Sequence, residues 1–136
     1  MRKLFIFLFF LLFFGCLNAD ETPVEIKLIK EEVKKKSSVK TEYYIKVSVP
    51  EGYGIQREAP NRILLSGEDG LKIKKVDTAF KGKVNLKKPE YFDYVDKMPL
   101  KISGKGNLLI NAKIFYCDFE KNICVPAKIN KKEMIN

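Results

Sequence analysis

Apolar and polar residues alternate along most of the chain with a period of two, the signature of strands that bury one face. Val24-Glu25-Ile26-Lys27-Leu28-Ile29 and Glu42-Tyr43-Tyr44-Ile45-Lys46-Val47-Ser48-Val49 carry this pattern. Between them, the charged residues 31–38 read as a turn or exposed connection, with room for one helical turn at most. Pro50-Glu51-Gly52-Tyr53-Gly54 ends the second strand with turn chemistry, and Ala59-Pro60-Asn61 precedes the apolar run Ile63-Leu64-Leu65. Further strands are predicted over residues 71–76, 83–86, 100–103, 108–116 and 123–129. Short strands separated by regular turns predict an all-β chain, an immunoglobulin-like β-sandwich of about 7–9 strands.

Residues 87–98 break the period. Tyr91, Phe92 and Tyr94 crowd together beside Pro89 and several charges, which predicts a long loop carrying aromatic rings. Such rings either fill the end of the sandwich core or serve a site.

The first fifteen residues have the anatomy of an export signal, a signal peptide preceding the domain. Arg2 and Lys3 are followed by an unbroken apolar run over residues 4–14, short for a membrane span. Cleavage after residue 15 would make Cys16 a lipidation site, whereas cleavage after Ala19 would discard it; the signal is 1–15 or 1–19, and residues 20–136 form one domain. Either outcome leaves Cys117 and Cys124 as the thiols that count, in a compartment that permits disulfides. The expected location is the periplasm, free or as a membrane-anchored lipoprotein facing it.

Without residues 1–15 the chain has 24 Lys+Arg against 17 Asp+Glu, a net charge of +7. Export argues against nucleic acid as the partner. An anionic membrane or an acidic protein would suit the charge, but the lysines are scattered and alternate with apolar residues, as on a solvated sheet face. There are no histidines, which excludes Ser-His-Asp and Cys-His catalysis and histidine metal sites. No metal site, cofactor motif, carboxylate pair or phosphate loop is evident.

Chemistry concentrates in Tyr116-Cys117-Asp118-Phe119-Glu120-Lys121-Asn122-Ile123-Cys124-Val125-Pro126. An antiparallel hairpin whose paired numbers sum to 241 sets the two cysteines opposite each other. It also places Phe115 against Pro126 and Lys113 against Lys128 on the same face. Tyr116 with Val125 and Ile114 with Ala127 then form an apolar face toward the core, and a one-residue slip would scramble both faces. Opposed Cα atoms about 4.5 Å apart lie near the short end of what a disulfide accepts, so the bridge is expected to be strained and easier to reduce. The connection is Glu120-Lys121 or, better, residues 119–122, because Asn122 tolerates positive φ. Asp118 and Glu120 oppose a thiolate at Cys117, whereas Lys121 and Lys128 favour one at Cys124, which marks Cys124 as the attacking sulfur. The alternative is a plain disulfide that staples the hairpin of an exported binding or structural module.

Tyr-Cys, a polar turn and Ile-Cys-Val-Pro resemble the active-site hairpin in the N-terminal periplasmic domain of the thiol:disulfide interchange protein DsbD. Val49-Pro50-Glu51-Gly52-Tyr53, Ala59-Pro60 and Met98-Pro99-Leu100-Lys101-Ile102 are similar to the order of landmarks there, so the likeness covers about residues 45–129. It implies an immunoglobulin-like sandwich that reduces thioredoxin-like exported proteins through Cys117 and Cys124, with Cys124 attacking. It also implies an aromatic cap over the pair, for which Tyr91, Phe92 and Tyr94 are the candidates. The interval between the cysteines is longer than the family's, and the cap segment is shorter. The membrane-embedded and C-terminal thioredoxin-like portions of DsbD have no counterpart, which implies a separate membrane electron donor.

Overall fold

The computed structural model describes residues 22–136; the leader and Cys16 lie outside the described residues. Ten strands follow one another: β1 (Glu25–Lys35), β2 (Ser38–Ser48), β3 (Tyr53–Gln56), β4 (Arg62–Glu68), β5 (Lys72–Val76), β6 (Gly82–Val84), β7 (Tyr91–Val95), β8 (Met98–Ser103), β9 (Gly106–Asp118) and β10 (Ile123–Ile135). One antiparallel sheet runs β1-β2-β8-β5. The other runs β10-β9-β3-β7-β6, with β4 also pairing with β9.

This is the all-β sandwich that the alternation predicts, because each sheet turns one apolar face inward. From the first sheet come Ile26, Ile45, Val47, Met98 and Leu100; from the second come Ile55, Ile63, Val95 and the even-numbered row Leu108, Ile110, Ala112 and Ile114 of β9. Ile45, Leu108 and Ile114 are fully enclosed. Burying a side chain of that size is worth about 1.5–3 kcal/mol, so the β9 row is a main support of the fold.

Three expectations need correction. Residues 31–38 are not a connection: β1 runs to Lys35, β2 begins at Ser38, and the reversal occupies two residues with Lys36 at φ 52°. Residues 87–98 are not a loop either, since they contain β7 and the start of β8. Tyr53-Gly54 is not only turn chemistry, because it opens β3, which is bonded to β9 on one side and β7 on the other. With β3 and β7 the described strands number ten rather than 7–9.

Candidate functional site

β9 and β10 pair over thirteen positions in the predicted register: Cys117 faces Cys124, Tyr116 faces Val125, Ile114 faces Ala127 and Lys113 faces Lys128. The turn occupies residues 119–122, and Asn122 takes the positive φ of 52°. Asp118 builds this turn, its Oδ1 accepting the N–H groups of Glu120 (3.0 Å) and Lys121 (3.2 Å). That oxygen is therefore committed to its own turn.

Cys117 and Cys124 form a disulfide with Cα atoms 4.0 Å apart, the close spacing of a non-hydrogen-bonded pair. In such a pair the backbone N–H and C=O of both residues point away from each other's strand. Phe115, two residues before Cys117, obeys the same phase: its N–H goes to Asn61 Oδ1 at 2.8 Å, away from β10. Pro126, opposite Phe115, thus removes no ladder bond. β10 is an edge strand, so the backbone of Cys124 faces outward.

The two sulfurs have different surroundings. Both lie on the outer face, opposite in phase to the buried Ile114 row, yet Cys117 is only 2% exposed while Cys124 is exposed. The cover over Cys117 comes from β3 and its neighbours. Register places Gly54 opposite Cys117 and Gln56 opposite Tyr91, so these four residues share one face. Gln56 Nε2 donates to Cys117 Sγ at 3.1 Å. Gly54 has no side chain, and the rings of Phe119 and Tyr91 lie over it, packed edge to face with centroids 4.9 Å apart. Lys88 Nζ stands 3.7 Å from the centre of the Phe119 ring, a cation–π contact.

Several bonds fix these groups. Phe119 N–H donates to the Gly52 carbonyl at 2.9 Å, which ties the hairpin turn to the start of β3. Asn85 Oδ1 accepts the N–H groups of Lys87 and Lys88, and Tyr91 N–H donates to the Lys88 carbonyl, which sets the turn before β7. Between its pairings with β3 and β4, β9 leaves a gap. Asn61 fills it, accepting from Phe115 N–H and donating from Nδ2 to the Gln56 carbonyl at 2.7 Å. Arg57 bonds the carbonyls of Glu90 and Pro89 at 2.9 and 2.8 Å. An open cleft of about 610 Å³ lies alongside, lined by Gln56, Arg57, Glu58, Ala59, Pro89, Glu90 and Tyr91.

Of the aromatic candidates, Tyr91 alone reaches the cysteine face. Phe92 points the other way, opposite Ile55, and packs against the core. Tyr94 is 53% exposed, with Lys46 Nζ 5.8 Å from its ring. The ring that joins Tyr91 is Phe119. Its sequence signal was its position two residues after Cys117, which puts it in phase with the sulfur. Gln56 had no such signal, since only the pairing of β3 with β9 brings it to Cys117.

Neither a protein-family model, nor a curated protein, nor a solved structure matches this chain.

Proposed function

We propose that this protein is an exported thiol–disulfide exchange domain, whose Cys117–Cys124 couple passes reducing equivalents to thioredoxin-like exported proteins after receiving them from a separate membrane donor. The observation that carries the reading is the unequal exposure of the two cysteines. An exchange couple needs one sulfur that a partner can reach and one shielded from it. Cys124, exposed on an edge strand, is in the first position, and Cys117, 2% exposed beneath its neighbours, is in the second.

In the reduced protein the Cys124 thiolate attacks a partner disulfide. One partner sulfur leaves as thiolate, and a mixed disulfide forms. Cys117, as thiolate, then attacks Cys124 Sγ; the intermolecular bond breaks, the partner departs with both sulfurs as thiolates that take up protons from solvent, and the internal disulfide is restored. Two electrons move to the partner, and the protein is oxidised by two. The aromatic pair Tyr91 and Phe119 packs over Gly54, the residue paired with the buried Cys117.

Cys117→Ala removes the resolving sulfur and tests the reading. Mixed with an oxidised thioredoxin, this variant is expected to hold a one-to-one mixed disulfide at Cys124, detected by non-reducing electrophoresis and mass spectrometry. The reading fails if no adduct forms and the native couple has a reduction potential below about −300 mV, the range of structural disulfides.

A further inference from the structure

The Gln56 amide stands against the sulfur that leaves when the disulfide opens, and we infer that Gln56 is a positioning residue that sets the rate and equilibrium of that opening. This inference rests on the exchange reading for its biological meaning, though its chemistry concerns the disulfide alone. Gln56 Nε2 lies 3.1 Å from Cys117 Sγ. A disulfide sulfur carries no proton and can only accept, so the amide nitrogen is the end that belongs there.

The bond gains strength during reaction. A thiolate from a reducing partner attacks Cys124 Sγ; a new S–S bond forms to the attacker as the bond to Cys117 breaks. The electron pair of the broken bond stays on Cys117, so the negative charge passes from the attacking sulfur to Cys117, with no proton required. Gln56 N–H, facing a weak neutral acceptor beforehand, then faces a thiolate, and hydrogen bonds to charged groups are about twice as strong as neutral ones. A leaving sulfur stabilised as thiolate leaves faster. In reverse, the same donor holds the Cys117 thiolate beside Cys124 until it attacks.

The main chain that carries Gln56 is fixed: its backbone carbonyl accepts from Asn61 Nδ2, Asn61 Oδ1 accepts from Phe115 N–H on β9, and the neighbouring Arg57 is bonded to Glu90 and Pro89. Solvent cannot replace the amide easily, because Cys117 is 2% exposed.

Reductive cleavage of the oxidised protein by a water-soluble phosphine, followed by thiol release, tests this without any protein partner. Gln56→Leu keeps the volume and removes the donor; its cleavage is expected to slow about fivefold, with the equilibrium against glutathione moved toward the disulfide. Gln56→Glu places a carboxylate against the leaving thiolate at pH 7.5 and is expected to slow at least as much. At pH 3.5 its protonated carboxyl donates again, so its rate relative to the parent at that pH returns to within about twofold. Parent-like rates in both variants at pH 7.5 would overturn the inference, as would Gln56→Glu remaining equally slow at both pH values, which is the mark of a packing role. These outcomes are independent of whether Cys117→Ala traps a partner, so each reading can fail alone.

Discussion

Reducing the disulfide should leave the fold standing, as an exchange couple requires of its reduced form. The bridge joins residues with a sequence separation of 7, a short loop. In the chain-entropy treatment it removes from the unfolded state a freedom worth about 2.5 kcal/mol. Residual hairpin structure in the denatured chain makes that an upper figure. In the native state the two strands are already paired over thirteen positions, and the inner face of β9 is anchored by Leu108, Ile110, Ala112 and Ile114. Native domains are stable by about 5–15 kcal/mol, so the reduced protein keeps most of its margin. Urea unfolding of the oxidised and reduced forms, followed by far-UV circular dichroism, is expected to show a lower midpoint for the reduced form with the same denaturant slope. Thermal unfolding should fall by roughly 10 °C. A reduced form that is unfolded at 25 °C, or weaker by more than about 5 kcal/mol, would refute the reasoning, because the proposed exchange requires a reduced form that keeps its fold.

Other consequences are equally direct. Gly54→Ala would put a Cβ 2.5 Å from Phe119 Cζ and 2.9 Å from Tyr91 Cδ1, so the rings must move; a cost of about 1–3 kcal/mol and severalfold faster cleavage by dithiothreitol are expected, and an unchanged rate would show that the rings do not guard the bond. Ile114→Ala empties a fully enclosed site and should cost about 2–5 kcal/mol, whereas Leu64→Ala, at a residue 53% exposed, should stay within about 0.5 kcal/mol; equal losses in urea titrations would contradict the assigned faces. Tyr44 Oη donates to Glu42 at 2.7 Å and, with Lys35, Lys40 and Lys97 nearby, holds that carboxyl below its ordinary value of 4.5. A depressed carboxyl contributes stability that is complete above the unfolded value and is lost as pH falls through the folded one. Stability should therefore decline below about pH 4.5 with a shallower slope in Glu42→Gln, and identical acid profiles would exclude this linkage.

The legible parts of the fold were those where chemistry and period agree. The β9–β10 register followed from the requirement that Tyr116, Ile114 and their partners share a face, and it holds pair by pair. β10 nevertheless continues six residues beyond Ile129, because Lys131 and Glu133 occupy inward-phased positions and hide the alternation. They are accommodated there by their mutual ion pair at 2.9 Å and by Lys131 Nζ donating to the Ile26 carbonyl. The ribbon formed by the far ends of β1 and β2 was illegible for a related reason. Its residues are mostly polar on both sides, so backbone pairing alone defines it. In β7, Tyr91 and Phe92 face opposite ways and the pairing with β6 shifts between Lys83 and Val84, which erases a clean period.

The least legible element, β3, is the one that differentiates the sulfurs. Its four residues contain a glycine and follow a Pro-Glu-Gly turn, so local propensity argues against a strand. Pairing with β9 and β7 at once overrides that propensity. Lying beside Cys117, β3 presents a bare Gly54 where two rings can settle and a Gln56 whose amide reaches the sulfur. On the opposite side of the hairpin, β10 has no neighbouring strand among the described residues, and Cys124 is left exposed. Local charge alone ranked the sulfurs by Asp118 and Glu120 against Lys121 and Lys128, yet Asp118 is engaged by its own turn. The stronger distinction is the neighbour each strand has: β9 lies beside β3, whose Gln56 and the rings over Gly54 surround Cys117, whereas β10 lies at the sheet edge and Cys124 is exposed.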